Sequence, residues 1–236
     1  MTPETTRLHF QEELKLLEGQ ALGAFDMVVE ALERTGEALR EQDIELAQLV
    51  IADDDRIDGR YLEVHQSVLS LMARQAPVAT DLRLIAALLD VIKHLERMGD
   101  QCVNICKLLP LAGHEPPSHP EILAKLGEMA RHARSQVSQA KIAFSNRDVP
   151  LAEDLVHQDD VLDLLNRECF KLALEIGDDP DVREWAMHMM LVARSLERIG
   201  DNAVDIGEQT AFVVTGLFRE FTDASHPDGV PPRPAP

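Results

Sequence analysis

The chain has 236 residues, 45% of them hydrophobic and only 4% aromatic, which is enough apolar material for one large or two modest cores. Its formal charge of −19 makes nucleic acid and anionic membranes poor partners through the long-range field, whereas cations and basic protein surfaces are attracted. No run approaches the roughly 18 apolar residues of a membrane span, and abundant Leu and Ala with few aromatics favour helices over sheets.

Thr5 or Thr6 is placed to cap a first helix that runs to about Arg40. Leu14, Leu17, Ala21, Phe25, Val28, Leu32 and Leu39 follow one another at helical steps and describe one face of it. Asp43 is the expected N-cap of a second helix, carried through Leu46, Val50, Ile57, Leu62, Val68 and Leu71 until Pro77 ends the pattern. A third helix is predicted from about Thr80 to Leu109. Residues 110 to 120 contain four prolines and a glycine and read as a linker. The pattern then restarts: a fourth helix over about Glu121 to Ser145, a fifth capped by Asp148 and reaching about Ile176, and a sixth over about Asp181 to Phe221. His226 to Pro236 holds five prolines and is expected to be disordered.

The restart is a true repeat. Leu95-Glu96-Arg97-Met98-Gly99-Asp100 recurs as Leu196-Glu197-Arg198-Ile199-Gly200-Asp201, and Val103-Asn104-Ile105 recurs as Val204-Asp205-Ile206. The chain is therefore expected to be all-α: six helices forming two tandem antiparallel three-helix bundles, each around its own core. The expected boundaries are 1–110 for the first repeat, 111–120 for the linker, 121–222 for the second repeat and 223–236 for the tail.

Each repeat carries two acidic pairs at one-turn spacing, which projects both carboxylates from one stripe. The pairs are Asp54 with Asp58 and Glu96 with Asp100, then Asp159 with Asp163 and Glu197 with Asp201, extended one turn further by Asp205. Asp58 and Glu96 are each 19 residues from Pro77, and Asp54 and Asp100 are each 23 from it. Asp163 and Glu197 are each 17 from Pro180, and Asp159 and Asp201 are each 21 from it. On antiparallel helices, equal distances from the turn place residues at one height, so the pairs are predicted to stand side by side in both hairpins. Four converging carboxylates need solvent separation, local bases or bound cations to stay ionised. An oxygen-only set suits Mg²⁺, Ca²⁺, Mn²⁺ or iron. The competing reading is a solvated face with Arg97, Arg194 and Arg198 forming surface ion pairs, each contributing about 0–1 kcal/mol.

Gly99 and Gly200 stand in the middle of helices, where each costs about 1 kcal/mol against Ala. Close approach of a neighbouring backbone or a bound ion and plain helix-to-helix packing both explain them. The nine histidines do not organise into a site, and His94 and His157 are expected to be exposed. Glu-x-x-His, a Gly-rich phosphate loop and a nucleophile elbow are all missing from the sequence. Trp185, Met187, Met189 and Met190 read as core or interface. Cys102, Cys106 and Cys169 read as buried thiols in a reducing compartment. The stretch Met1–Leu14 carries Glu4, Glu12 and Glu13 without an apolar run, so a signal peptide is not expected and a cytoplasmic location is.

The duplicated Leu-Glu-Arg-[Met/Ile]-Gly-Asp, the paired Asp-x-x-[Ile/Leu]-Asp and Pro77-Val78-Ala79-Thr80-Asp81-Leu82-Arg83 resemble the PhoU family of phosphate-uptake regulators, over roughly residues 8 to 222. The resemblance implies a cytoplasmic, non-enzymatic negative regulator of the phosphate-starvation response. It also implies coupling of the ATPase of a phosphate ABC transporter to a sensor histidine kinase. Metal clusters of iron or zinc are implied at Asp54, Asp58, Glu96, Asp100, Asp159, Asp163, Glu197 and Asp201. Asp205 joins the second set, whereas Asn104 stands at its place in the first. Iron, zinc, manganese and magnesium all stay open as the metal, and monomer and homodimer both stay open. So do two other functions: a metal-dependent phosphohydrolase using bridged metals to activate water, and a plain helical scaffold.

Overall fold

A computed structural model describes residues 3–75, 77–112 and 119–221. Among these residues all the regular structure is helical, and the six predicted helices are present. Helix α1 (Pro3–Glu41) begins before Thr5 and Thr6, so neither is its cap. The predicted second helix is two, α2 (Ile44–Asp53) and α3 (Asp55–Arg74), separated by a single turn residue, Asp54. Helix α4 (Thr80–Leu108) follows and ends in a short 3₁₀ turn at Leu109–Ala112. The second half runs α5 (Pro120–Asn146), α6 (Val149–Glu153), α7 (Leu155–Leu174) and α8 (Pro180–Thr215). The sixth predicted helix stops six residues early because Gly216, at φ 75°, takes a left-handed cap and donates its N–H to Phe212 O. The predicted Pro-rich tail lies outside the described residues.

The local match between the two halves has a structural cause. Gln42 and Arg147 occupy equivalent places and both adopt left-handed backbone, at φ 54° and 57°. Each is followed by an Asp that reverses the chain in the same way. The Asp43 N–H reaches Ala38 O at 2.9 Å while its carboxylate accepts the Leu46 N–H; the Asp148 N–H reaches Ala143 O at 3.0 Å while its carboxylate accepts the Leu151 N–H. A closing left-handed turn and an opening N-cap thus share two residues.

The interruptions at Asp54 and Asp154 are not equivalent, since Asp159 is the counterpart of Asp54. In both, one carbonyl serves two N–H groups: Asp54 O accepts from Ile57 and Asp58, and Asp154 O accepts from His157 and Gln158. Apolar periodicity continues across each break, which is why a single helix was the natural expectation.

Helix α1 packs on α5 and α4 packs on α8, so the halves meet along two pairs of long helices. Helices α4 and α8 run antiparallel: His94 lies against Asn202, and Arg83 lies against Gly216. The buried side chains form one cluster that includes Phe25, Leu88 and Leu95 from the first half and Met129, Leu196 and Ile199 from the second. This corrects the expectation of a separate core in each bundle. A three-helix unit leaves an apolar face uncovered on its long helices, and here each unit covers the other's. Ion pairs line the α1–α5 seam, with Arg147 on Glu18 and Lys141 on Asp26 at 2.5 Å each and Arg134 on Glu33 at 3.1 Å.

All three cysteines are buried and unpaired, and burial pushes the Cys102 thiol up to about 12 and that of Cys106 to about 11. Trp185 and Met189 lie in the core, whereas Met187 is 66% exposed. Among the described residues no helix is long and apolar enough to cross a membrane.

Candidate metal centre

In the first repeat Asp54 stands at the α2–α3 break with Asp58 one turn later, and Glu96 and Asp100 face them from α4. The closeness has electrostatic consequences. Burial, then the Asp58, Asp100 and Glu96 carboxylates, push the Asp54 carboxyl up to about 6. Burial followed by Asp100 and Asp58 raises Glu96, against the weaker pull of Arg97 and Lys93. A Cβ added to Gly99 would lie 2.7 Å from Asp54 Oδ1. Asp54 is therefore level with the Gly99-Asp100 peptide, the height predicted from the hairpin.

The second repeat is built alike and is more deeply buried. Burial, then Asp201, raises the Asp159 carboxyl to about 7; Asp163 and Glu197 add to this, and the Gln136 amide opposes it. A Cβ on Gly200 would lie 2.5 Å from Asp159 Oδ1. The atoms nearest both mid-helix glycines are side chains of adjacent elements, Asp54 and Ile57 at Gly99 and Asp159, Leu162 and Gln136 at Gly200. The glycines thus serve close side-chain packing between helices, and among the described residues no neighbouring backbone approaches either of them. Glu197 is only 6% exposed. Burial and Asp201 raise its pKa while Arg194, which is paired with Oε1, opposes them. Its Oε2 is buried without a hydrogen-bond partner. Asp201 is raised by burial in the same way, with Arg194 pulling it back and Asp163 and Asp205 adding to the rise.

Asp205 faces a different neighbour. Its carboxylate lies 3.3 Å from His94 Nδ1, which is also 2.8 Å from Asn202 Oδ1. His94 was expected to be exposed and is instead largely enclosed between α4 and α8. Periodicity within α4 cannot report a helix that packs on it from the other repeat. His157 is exposed, as expected.

Two further residues were not anticipated. Gln136 is fully buried on α5. Its Nε2 is 3.4 Å from Leu155 O and 3.5 Å from Asp159 Oδ1, both long contacts, and its Oε1 has no partner. Leaving such a group unsatisfied costs about 1–3 kcal/mol. The signal was present in the sequence, because Gln136 interrupts the apolar stripe of Met129, Ala133, Val137 and Ala140. Glu208 on α8 accepts the Phe221 N–H at 2.7 Å, and burial pushes its carboxyl up to about 7.

As the side chains stand, no group of three or more His, Cys, Asp or Glu among the described residues is gathered to hold a metal ion. The chemistry of the donor set nevertheless fits a hard or intermediate cation: carboxylates that repel one another, with two buried oxygens, Glu197 Oε2 and Gln136 Oε1, left unpaired beside them.

The family model described as the PhoU domain matches residues 22–109 and again residues 126–210, so each match encloses one repeat with its carboxylates. The chain belongs to the PhoU family. It is 30% identical over 220 residues to a phosphate-specific transport system accessory protein PhoU homolog of Clostridium acetobutylicum, covering 92% of this chain and 100% of that protein. It is 34% identical over 191 residues to the corresponding homolog of Aquifex aeolicus, covering 79% and 84%. Among solved structures, the phosphate transport system regulatory protein PhoU from Streptococcus pneumoniae superposes with a TM-score of 0.82 at 25% identity, over 89% of this chain and 99% of that one. PhoU from Pseudomonas aeruginosa gives 0.78 at 28% identity, over 88% and 100%. The paired bundles described above are the PhoU fold.

Proposed function

We propose that this protein is a cytoplasmic accessory protein of phosphate-specific transport that holds uptake and the phosphate-starvation response in check. In this reading it is an adaptor, docking on the transporter's ATPase subunit and on a sensor histidine kinase, and it is a regulator rather than an enzyme. Membership of the PhoU family, with relatives that carry the transport-accessory description along nearly their whole length, is the observation that supports the pathway. The net charge of −19 supports basic protein surfaces as docking targets.

We also read the two carboxylate clusters as cation sites. Asp54, Asp58, Glu96 and Asp100 would hold metal in the first repeat, and Asp159, Asp163, Glu197 and Asp201 in the second, where Asp205 would join them only by leaving His94. A bound metal supplies positive charge that offsets the repulsion raising Asp54, Glu96, Asp159, Glu197 and Asp201. The chain's own part is to hold Asp54, at the α2–α3 break, and Asp159, on α7, against α4 and α8 at Gly99 and Gly200. Elemental analysis of protein purified without chelator tests the metal: a stoichiometric metal is expected, and metal-free protein that still binds its partners refutes it. Pull-down with the ATPase and the kinase tests docking. Full binding after all eight paired carboxylates are replaced by Asn or Gln rules out a role for the acidic face.

A further inference from the structure

The two clusters are not equivalent, and the difference is centred on one amide. The offset of 105 residues that relates Asp54 to Asp159 relates Ala31 to Gln136. In the first repeat a partly open pocket with room for about 20 Å³ leads in from Arg34, Asp53 and Arg56 to Ala31, Asp54 and Gly99. In the second repeat the Gln136 carboxamide occupies the matching place. A Cβ on Gly200 would lie 2.9 Å from Gln136 Oε1 and 2.5 Å from Asp159 Oδ1, so the amide oxygen and the carboxylate crowd the same point. The amide nitrogen spends its protons on two long contacts, to Leu155 O and Asp159 Oδ1. The amide oxygen is buried with no partner, and so is Glu197 Oε2. Glu197 is 6% exposed and carries this orphaned atom, whereas its counterpart Glu96 is only half-buried.

We propose that the second repeat holds the tighter of the two cation sites, and that Gln136 makes it so by offering its carboxamide oxygen as a neutral donor beside Asp159 and Glu197. A further carboxylate at that place would add to the repulsion; an amide oxygen supplies a ligand without charge. Carboxylate and amide oxygens together select hard divalent ions such as Mn²⁺, Mg²⁺ and Ca²⁺ over thiophilic ones. The first repeat, with a methyl group and a partly open pocket where the amide should be, is the weaker site. This inference rests on the reading of the clusters as cation sites, and its test separates the two.

Metal-free full-length protein is titrated with Mn²⁺, and free Mn²⁺ is followed by electron paramagnetic resonance. Wild type shows two classes of site. Asp159→Asn removes the tighter class and Asp54→Asn the weaker. Gln136→Met, which keeps the volume and removes the amide, weakens the tighter class at least tenfold and leaves the weaker one unchanged. Ala31→Gln, which places the amide in the first repeat, tightens the weaker class. Far-UV circular dichroism and a thermal melt confirm that each variant is folded; where Gln136→Met does not fold, Ala31→Gln decides. Absence of any bound Mn²⁺ in wild type overturns the cation reading itself. Two classes of equal affinity, a tighter class unmoved by Gln136→Met, or a weaker class unmoved by Ala31→Gln overturns the role of Gln136 while the cation reading stands.

Discussion

Replacing Gly200 by Ala sets a helix-propensity gain against a steric cost, and the structure says which wins. In a helix interior the exchange gains about 1 kcal/mol from backbone entropy. The new methyl would sit 2.5 Å from Asp159 Oδ1, 2.6 Å from Leu162 Cδ1 and 2.9 Å from Gln136 Oε1. All three lie within contact distance, and Leu162 is fully buried with nowhere to withdraw. Overpacking of this kind costs about 1–3 kcal/mol, so the net change runs from neutral to a loss of about 2 kcal/mol. Gly127→Ala is the internal reference, because nothing lies within 4 Å of its added Cβ. It should gain up to about 1 kcal/mol. Gly99→Ala falls between them, since its one severe contact is the Asp54 carboxylate at 2.7 Å. Urea denaturation in chelator should order the proteins Gly127→Ala, wild type, Gly99→Ala and Gly200→Ala from most to least stable. In thermal melts, 1 kcal/mol corresponds to about 2–4 °C for a chain of this size. A Gly200→Ala protein as stable as Gly127→Ala would show that the aspartate of α7 does not approach α8 as described, and the geometry of both clusters would fall with it.

Asp148→Ala removes the carboxylate that accepts the Leu151 N–H and should cost about 1 kcal/mol, read as a lowered urea midpoint at unchanged slope. The Glu208 carboxyl is raised to about 7 in the fold, so its favourable contribution is complete below the ordinary glutamate value and is lost as pH rises through about 7. Denaturation of wild type and Glu208→Gln should therefore agree near pH 4.5, and the variant should become the more stable protein by pH 8; parallel pH profiles would contradict this. Cys102, Cys106 and Cys169 should resist alkylation by iodoacetamide in the native protein and react fully in urea, as counted by mass spectrometry. Rapid labelling of Cys102 without denaturant would contradict its burial.

The helices were legible because apolar spacing and capping residues are local signals, and Asp43 and Asp148 act as caps where they were expected to. The heights of the carboxylates were legible because two antiparallel helices share one turn, so distance from Pro77 or Pro180 fixes level. Rotation about the helix axis and packing between repeats were not. His94 lies against Asn202, 108 residues away in the chain, and no pattern within α4 announces that. The same blindness produced the expectation of two separate cores, because the apolar faces of α4 and α8 look alike whether each covers its own bundle or the other's. The first helix begins at Pro3, ahead of Thr5 and Thr6, and a residue already inside a helix cannot be its N-cap. Gln136 was legible and overlooked: a lone polar side chain on an apolar stripe is the mark of a buried polar contact.

Joining two copies of one unit in a single chain frees them from each other. In a symmetric dimer every substitution lands twice, on both faces of the interface. Here it lands once. Arg34 pairs with Asp53 across the first bundle, and at the corresponding places in the second Gln158 donates to Gln139 Oε1 at 2.6 Å. A charged pair in one half and a neutral pair in the other fill the same notch. The fold tolerates each solution because the partner residues differ together and neither exchange is imposed on the twin. An architecture that began as two of the same thing can thereby give its two ends different tastes while keeping one skeleton.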